Sequence, residues 1–231
     1  SIGELIEQTK LNGVERVEEV DKIGSSVYIF EAKNPVKYLS FIVGDFTKVK
    51  EDANFQPLKL YSSSSIYYQK KGLVDDAKRI VQFYEDKFGA FPYEKLSIIQ
   101  RSWSSSGGQS YPSFIVLNEL PKLEEGEQYV NVSSPVDLSR WREYFIAHEI
   151  AHQWWGQGVT WRTYHDQWLS EGLSQFAAAL YLKEKHGEGA FSLILKKFSR
   201  WTEKSSKWGP ITLGSRISFI NYGAYQSIVY N

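Results

Sequence analysis

Apolar residues recur at intervals of three and four positions in four stretches of the chain, the spacing of helices that bury one face. The predicted helices cover residues 72–88, 134–155, 170–186 and 190–201. A Ser-Pro pair opens the second stretch, and serine caps helix N-termini while proline fits the first helical position. Glycine follows the first and third stretches, where helices commonly end. The pattern therefore predicts four amphipathic helices.

Runs rich in β-branched and aromatic residues predict strands in the first half of the chain. They cover residues 27–30, 39–49, 58–62, 96–101 and 111–117. Strands that precede most of the helices are what a mixed sheet packed against helices requires. We therefore predict an α/β fold of the α+β kind.

The composition permits a substantial core and argues against several classes of function. The 231 residues are 42% hydrophobic and 16% aromatic. Lysine plus arginine balance aspartate plus glutamate at 27 each, so the chain lacks the electrostatic footprint of a nucleic-acid-binding protein. Its apolar runs are too short to span a bilayer. The chain has no cysteine, so any metal site must be built from histidine and carboxylate.

The segment His-Glu-Ile-Ala-His at 148–152 lies inside the second predicted helix. Positions four apart share one helix face, so His148 and His152 can direct their imidazoles at one ion. Glu149 is rotated by about 100° from His148, which places its carboxylate beside that ion, within reach of a metal-activated water. The segment predicts a zinc site with Glu149 as the general base. The motif is short, however, and also occurs in surface helices that bind no metal.

A third ligand is predicted at Glu171, after eighteen intervening residues. Catalytic zinc usually takes three protein ligands and keeps one open position. Glu171 lies in the first turn of the third predicted helix, from which its carboxylate can face the second. This context favours a metal site over a surface helix. We predict one zinc ion per chain, held by His148, His152 and Glu171.

These residues resemble the pattern of the gluzincin metallopeptidases related to aminopeptidase N and leukotriene hydrolase. The flanking His-Gln-Trp-Trp-Gly at 152–156 and Trp-Leu-Ser-Glu-Gly at 168–172 are also similar to that family. The resemblance implies a thermolysin-like catalytic domain over residues 39–231, a small mixed sheet beside a helical bundle, truncated at its C-terminal side. It implies that residues 1–38 end a preceding β-rich domain or form leading strands. Further domains of the same parent protein are then expected as partners.

The family carries a Gly-x-Met-Glu-Asn segment on an edge strand, whose glutamate holds the substrate's free amino group and whose backbone pairs with the peptide. The matching residues are Gly107, Gly108, Gln109, Ser110 and Tyr111. Glycine permits close backbone approach to a ligand, and the first four of these are the candidate substrate-binding residues. Gln109 and Ser110 replace methionine and glutamate, so the amine-binding carboxylate is absent. The alternative is a glycine loop without ligand contact.

The family also uses a tyrosine beyond the third ligand to hydrogen-bond the oxyanion. Tyr230 is the candidate, because it stands where a Lys-Gly-Ala sequence would follow one residue later. Tyr222 and Tyr225 are the alternatives. Simple packing is a further alternative for all three, since the chain has 15 tyrosines.

The resemblance implies a zinc peptidase that removes N-terminal residues from peptides by attack of a zinc-activated water. Because the amine-binding carboxylate is absent, an endopeptidase or another zinc hydrolase is the alternative. A binding module that keeps the fold without catalysis is a third, which the intact ligands and Glu149 disfavour.

Overall fold

The fold places a mixed sheet beside a group of helices. The computed structural model of the chain describes residues 4–5, 30–31, 35–52, 58–63, 72–101, 107–118 and 142–230. Within them the strands are β1 (Glu4–Leu5), β2 (Phe30–Glu31), β3 (Thr47–Asp52), β4 (Leu58–Ser62), β5 (Leu96–Gln100), β6 (Gly108–Tyr111) and β7 (Phe114–Leu117). The α-helices are α1 (Leu73–Phe88), α2 (Arg142–Ala151), α3 (Trp168–His186), α4 (Glu188–Ser205) and α5 (Tyr222–Val229). The predicted mixed α/β fold is confirmed.

Five strands form one sheet in the order β3-β4-β5-β7-β6. The strands β4, β5 and β7 are parallel, while β3 and β6 pair antiparallel to their neighbours. The strand β7 is entirely apolar and fully buried, as expected for a parallel strand covered on both faces. Among the described residues, β6 is an outer strand of this sheet.

One face of the sheet packs against α1, α2 and α3, whose apolar residues share a core with Ile98, Ile115 and Leu117. The helix α1 contributes the stripe that its periodicity predicts, which consists of Leu73, Ala77, Ile80, Val81 and Tyr84. The buried Tyr84 hydroxyl donates a hydrogen bond to the Ala147 carbonyl at 3.0 Å. This bond ties α1 to α2 and helps to fix the position of α2 against the sheet.

Two predicted strands differ from the structure. Pairing of the predicted strand 39–49 begins only at Thr47, because the preceding residues lie across the second face of the sheet, where Ile42 and Phe46 pack. The predicted strand 111–117 is instead a hairpin of β6 and β7. Ser113 adopts a left-handed φ of 68° at its turn, which reverses the chain.

The predicted helix 134–155 ends earlier than expected, at Ala151. Beyond it the backbone tightens, since the Gln153 N–H donates to the Ile150 carbonyl at 2.9 Å. Its predicted start at 134 lies outside the described residues, as do residues 27–29 of the first predicted strand. The helices predicted at 72–88, 170–186 and 190–201 are confirmed, with α4 extending further at both ends. The predicted boundary between a preceding β-rich segment (1–38) and the thermolysin-like domain (39–231) stays a prediction.

In the described part of the chain, we find no helix with the length and apolar character needed to cross a bilayer.

Candidate metal centre

The three predicted zinc ligands meet where α2 contacts α3. The Nε2 atoms of His148 and His152 lie 3.1 Å apart. The Glu171 Oε2 atom lies 3.5 Å from the first of these nitrogens and 3.2 Å from the second. His148 lies in the last turn of α2, His152 directly follows its end with its N–H 3.3 Å from the His148 carbonyl oxygen, and Glu171 comes from the first turn of α3. Among the described residues, these three can hold a metal ion together.

The spacing of these three atoms fits a zinc ion. A tetrahedral zinc ion with nitrogen and oxygen ligands at about 2.0–2.1 Å has its ligand atoms about 3.3 Å apart. The observed separations of 3.1, 3.2 and 3.5 Å bracket that value. One ion can therefore contact all three atoms, and a fourth position stays available to water or substrate.

The electrostatics of the site also favour a cation. Burial raises the pKa of Glu149 to about 7. Burial lowers the pKa of His152, but the Glu171 and Glu149 carboxylates outweigh it and raise this pKa to about 9. Burial opposes ionisation of Glu171 as well, yet the two histidines hold its pKa well below the usual value. The carboxylates thus hold a proton on His152, which a divalent cation would displace.

Groups that the sequence did not point to orient His152. Its Nδ1 lies 3.0 Å from the Trp155 carbonyl oxygen, which can accept the N–H and leave Nε2 for a metal. The hydroxyls of Ser170 and Ser174 lie 3.2 and 3.0 Å from the same Nδ1. A side chain at Gly156 would collide with the Ser170 hydroxyl. The sequence offered one signal for these groups, because Ser170 and Ser174 are four residues apart on one helix face and lie on either side of Glu171.

Glu149 points toward β6. Its side chain is buried, and a Cβ built on Gly108 would lie 2.6 Å from Glu149 Oε1 and 2.7 Å from its Cδ. Real Cβ atoms do not approach so closely, so the carboxylate occupies the space that any side chain at position 108 would need. The candidate base is thereby held between the ligand group and the backbone of β6.

Gln153, in the turn just past the end of α2, fixes β6 to this end of the helix. This side chain is fully buried, and its Nε2 donates to Ser110 Oγ at 2.7 Å and to the Tyr111 carbonyl at 3.0 Å. Its Oε1 accepts the Ser113 N–H at 3.0 Å. Glu149 and Gln153 are four residues apart and lie on the same side of the chain at the end of α2. Gly108 and Ser110 are two residues apart and lie on the same face of β6. Glu149 therefore meets Gly108, and Gln153 meets Ser110.

The candidate substrate-binding residues lie on or beside β6. Gly108, Gln109 and Ser110 belong to the strand, and Gly107 precedes it with a φ of 139°. The Gln109 side chain is exposed. The Ser110 side chain is buried and bonded to Gln153. The position that matches the family's amine-binding glutamate therefore carries a hydroxyl that is already engaged within the protein.

Tyr230 lies against a predicted zinc ligand. Its ring stacks on the His148 ring with centroids 6.1 Å apart and an interplanar angle of 20°. Burial, followed by the negative charge of Glu171, raises the pKa of Tyr230 well above its usual value, which keeps its hydroxyl protonated. The Tyr225 hydroxyl instead accepts a hydrogen bond from Gln167 at 2.9 Å, and Tyr222 is 61% exposed.

The chain is similar to known proteins in sequence and in structure. A family model described as "Peptidase family M1 domain" matches residues 73–208. The chain is 30% identical over 164 residues to probable aminopeptidase 1 of Sulfurisphaera tokodaii, a match that covers 68% of this chain and 20% of that protein. It is 29% identical over 155 residues to endoplasmic reticulum aminopeptidase 2 of Bos taurus, covering 66% of this chain and 16% of that protein.

A solved structure shares the fold. It is titled "Structure of native yeast LTA4 hydrolase", and it superposes with a TM-score of 0.59 at 17% sequence identity. The superposition covers 80% of this chain and 28% of that chain. The chain therefore spans only a minor part of the length of each relative described.

Proposed function

Because this chain belongs to peptidase family M1, we propose that it is a zinc-dependent peptidase that removes residues from the N-terminus of peptides. The observation that carries the proposal is the convergence of His148, His152 and Glu171 at zinc-ligand spacing, with the buried Glu149 beside them. The names of the curated relatives, which are aminopeptidases, support the N-terminal specificity.

In the proposed reaction, Glu149 moves the proton. When bound, zinc supplies a Lewis acid that lowers the pKa of a water and polarises the scissile carbonyl. Glu149 accepts the proton of that water as its oxygen attacks the carbonyl carbon, and then passes the proton to the leaving amine nitrogen.

The backbone of β6 is proposed to bind the peptide as an added strand. Main-chain hydrogen bonds to a sheet edge hold an extended peptide without depending on its sequence. Gly108, which presents no side chain, allows the peptide to lie close to Glu149. The buried Ser110 at the amine-binding position favours a second candidate, an endopeptidase that does not require a free amino group.

The proposal predicts about one zinc per chain in the purified protein and hydrolysis of peptides with a free N-terminus. The same peptides with an acetylated N-terminus should be refused. The measurements are elemental analysis and product detection by mass spectrometry. Equal hydrolysis of the acetylated peptides would support the endopeptidase. Absence of zinc would support a binding module that keeps the fold.

We expect Tyr230→Phe to lower kcat by about 10²- to 10³-fold, the usual cost of removing one oxyanion donor. The phenyl ring can keep the packing on His148, so the zinc content should equal that of the parent. Tyr222→Phe, on the exposed side of the same helix region, is the matched control and should leave kcat unchanged. A parental kcat for Tyr230→Phe would assign the oxyanion contact to another group.

A further inference from the structure

Two residues of β6 direct their backbone groups away from the sheet. Opposite residues of an antiparallel pair alternate between hydrogen-bonded and non-bonded positions. The Asn118 N–H donates to the Gly107 carbonyl at 3.0 Å, so these two form a bonded pair. Gly108 and Ser110 therefore stand opposite β7 at the non-bonded positions. Their N–H and C=O groups point to the outer edge, where a peptide would pair.

The outer carbonyl of Ser110 is already occupied. Gln157 Nε2 donates to the Ser110 carbonyl oxygen at 3.0 Å. The other end of this amide accepts a hydrogen bond from the Tyr38 hydroxyl at 3.1 Å. Gln157 is thus held at both ends across the edge of β6. It lies in the turn that follows α2, midway between the two bridged residues Trp155 and Val159.

The proposed reaction places the scissile carbonyl at the Gly108 end of this edge. The Glu149 carboxylate lies against Gly108, with its Oε1 atom 2.6 Å from where a side chain there would start. A peptide that pairs with Gly108 and continues toward Tyr111 would need the Ser110 carbonyl as its next acceptor. It would meet the Gln157 side chain there instead.

We propose that Gln157 is a specificity-determining residue that ends the pairing between substrate and β6 next to Gly108. The substrate can then extend freely on only one side of the reacting bond. This inference rests on the proposed function, under which the short side receives the substrate's N-terminus. Gln157 gives the protein a steric means of selecting the N-terminal ends of peptides. Ser110, at the position that matches the family's amine-binding glutamate, has no carboxylate that could hold an amino group.

The test is a binding measurement in the catalytically disabled Glu149→Gln background. Two zinc-loaded proteins are compared by fluorescence anisotropy, one with Gln157 and one with Gln157→Ala. The probes are a short peptide with a free N-terminus and the same peptide extended by four residues and acetylated, each labelled at its C-terminus. We expect Gln157→Ala to tighten binding of the extended probe, relative to the short one, by about tenfold, the worth of roughly one backbone hydrogen bond.

Tyr38→Phe supplies a graded variant, since it removes one of the two contacts that hold Gln157 and leaves the amide in place. It should shift the ratio of the two affinities in the same direction by a smaller factor. An unchanged ratio in Gln157→Ala, or no binding of the extended probe to it, would overturn the inference. A failure of the proposed function would appear separately, as a lack of peptide hydrolysis by the parent protein with its zinc bound.

Discussion

Glu149→Gln is expected to bind as much zinc as the parent and to lose turnover by about 10²- to 10⁴-fold, the range that general acid–base catalysis contributes. The amide has nearly the shape of the carboxylate, so it can occupy the same space against Gly108. It cannot accept the proton of the attacking water. The three ligand atoms are unchanged, so metal binding and proton transfer are separated by this one substitution.

The measurement combines elemental analysis with kcat for a peptide that the parent hydrolyses. Glu184→Gln makes the same chemical change on the exposed part of α3 and should leave both quantities unchanged. Hydrolysis by Glu149→Gln at nearly the parental rate would show that another group accepts the proton.

Glu171→Ala should weaken zinc binding by more than about 100-fold, because losing a ligand costs more than losing a group that merely orients one. The change removes the only carboxylate among the three ligand atoms and the charge that balances His152. Two histidines alone cannot complete the three-ligand set of a catalytic zinc. Peptide hydrolysis should be lost together with the metal.

Zinc content after dialysis and competition with a chelator measure this effect. The control is Glu188→Ala, which removes a glutamate from the first turn of the next helix, where it pairs with Lys183 at the surface. Its zinc content should match that of the parent. Stoichiometric zinc in dialysed Glu171→Ala would mean that the ligand set is wrong.

Local patterns predicted the elements whose residues face one core. The stripe of α1 and the ligand spacing on α2 are periodic, and periodicity depends only on which residues are buried. The predicted strands at 39–49 and 111–117 were only partly right, for a different reason. The first is apolar because residues such as Ile42 cover a sheet face, and the second contains a reversal that depends on the left-handed Ser113.

The residues that meet at the candidate site were predictable, whereas the groups that hold them in place were not. These residues follow from the His-Glu-Ile-Ala-His motif and from a glutamate eighteen intervening residues beyond it. The Trp155 carbonyl that orients His152, and the Gln157 amide on the edge of β6, act through positions that only the tertiary structure sets. A glutamine in a turn carries no sign in the sequence of which carbonyl it will reach.

The contact between Gly108 and Glu149 couples the choice of residue at one position to the side-chain placement at the other. Position 108 has no functional group of its own, yet the carboxylate fills the volume that even a methyl group would need. A side chain at 108 would require the Glu149 side chain to shift from this position. The residue at 108 and the position of the Glu149 carboxylate are therefore expected to change together in related chains.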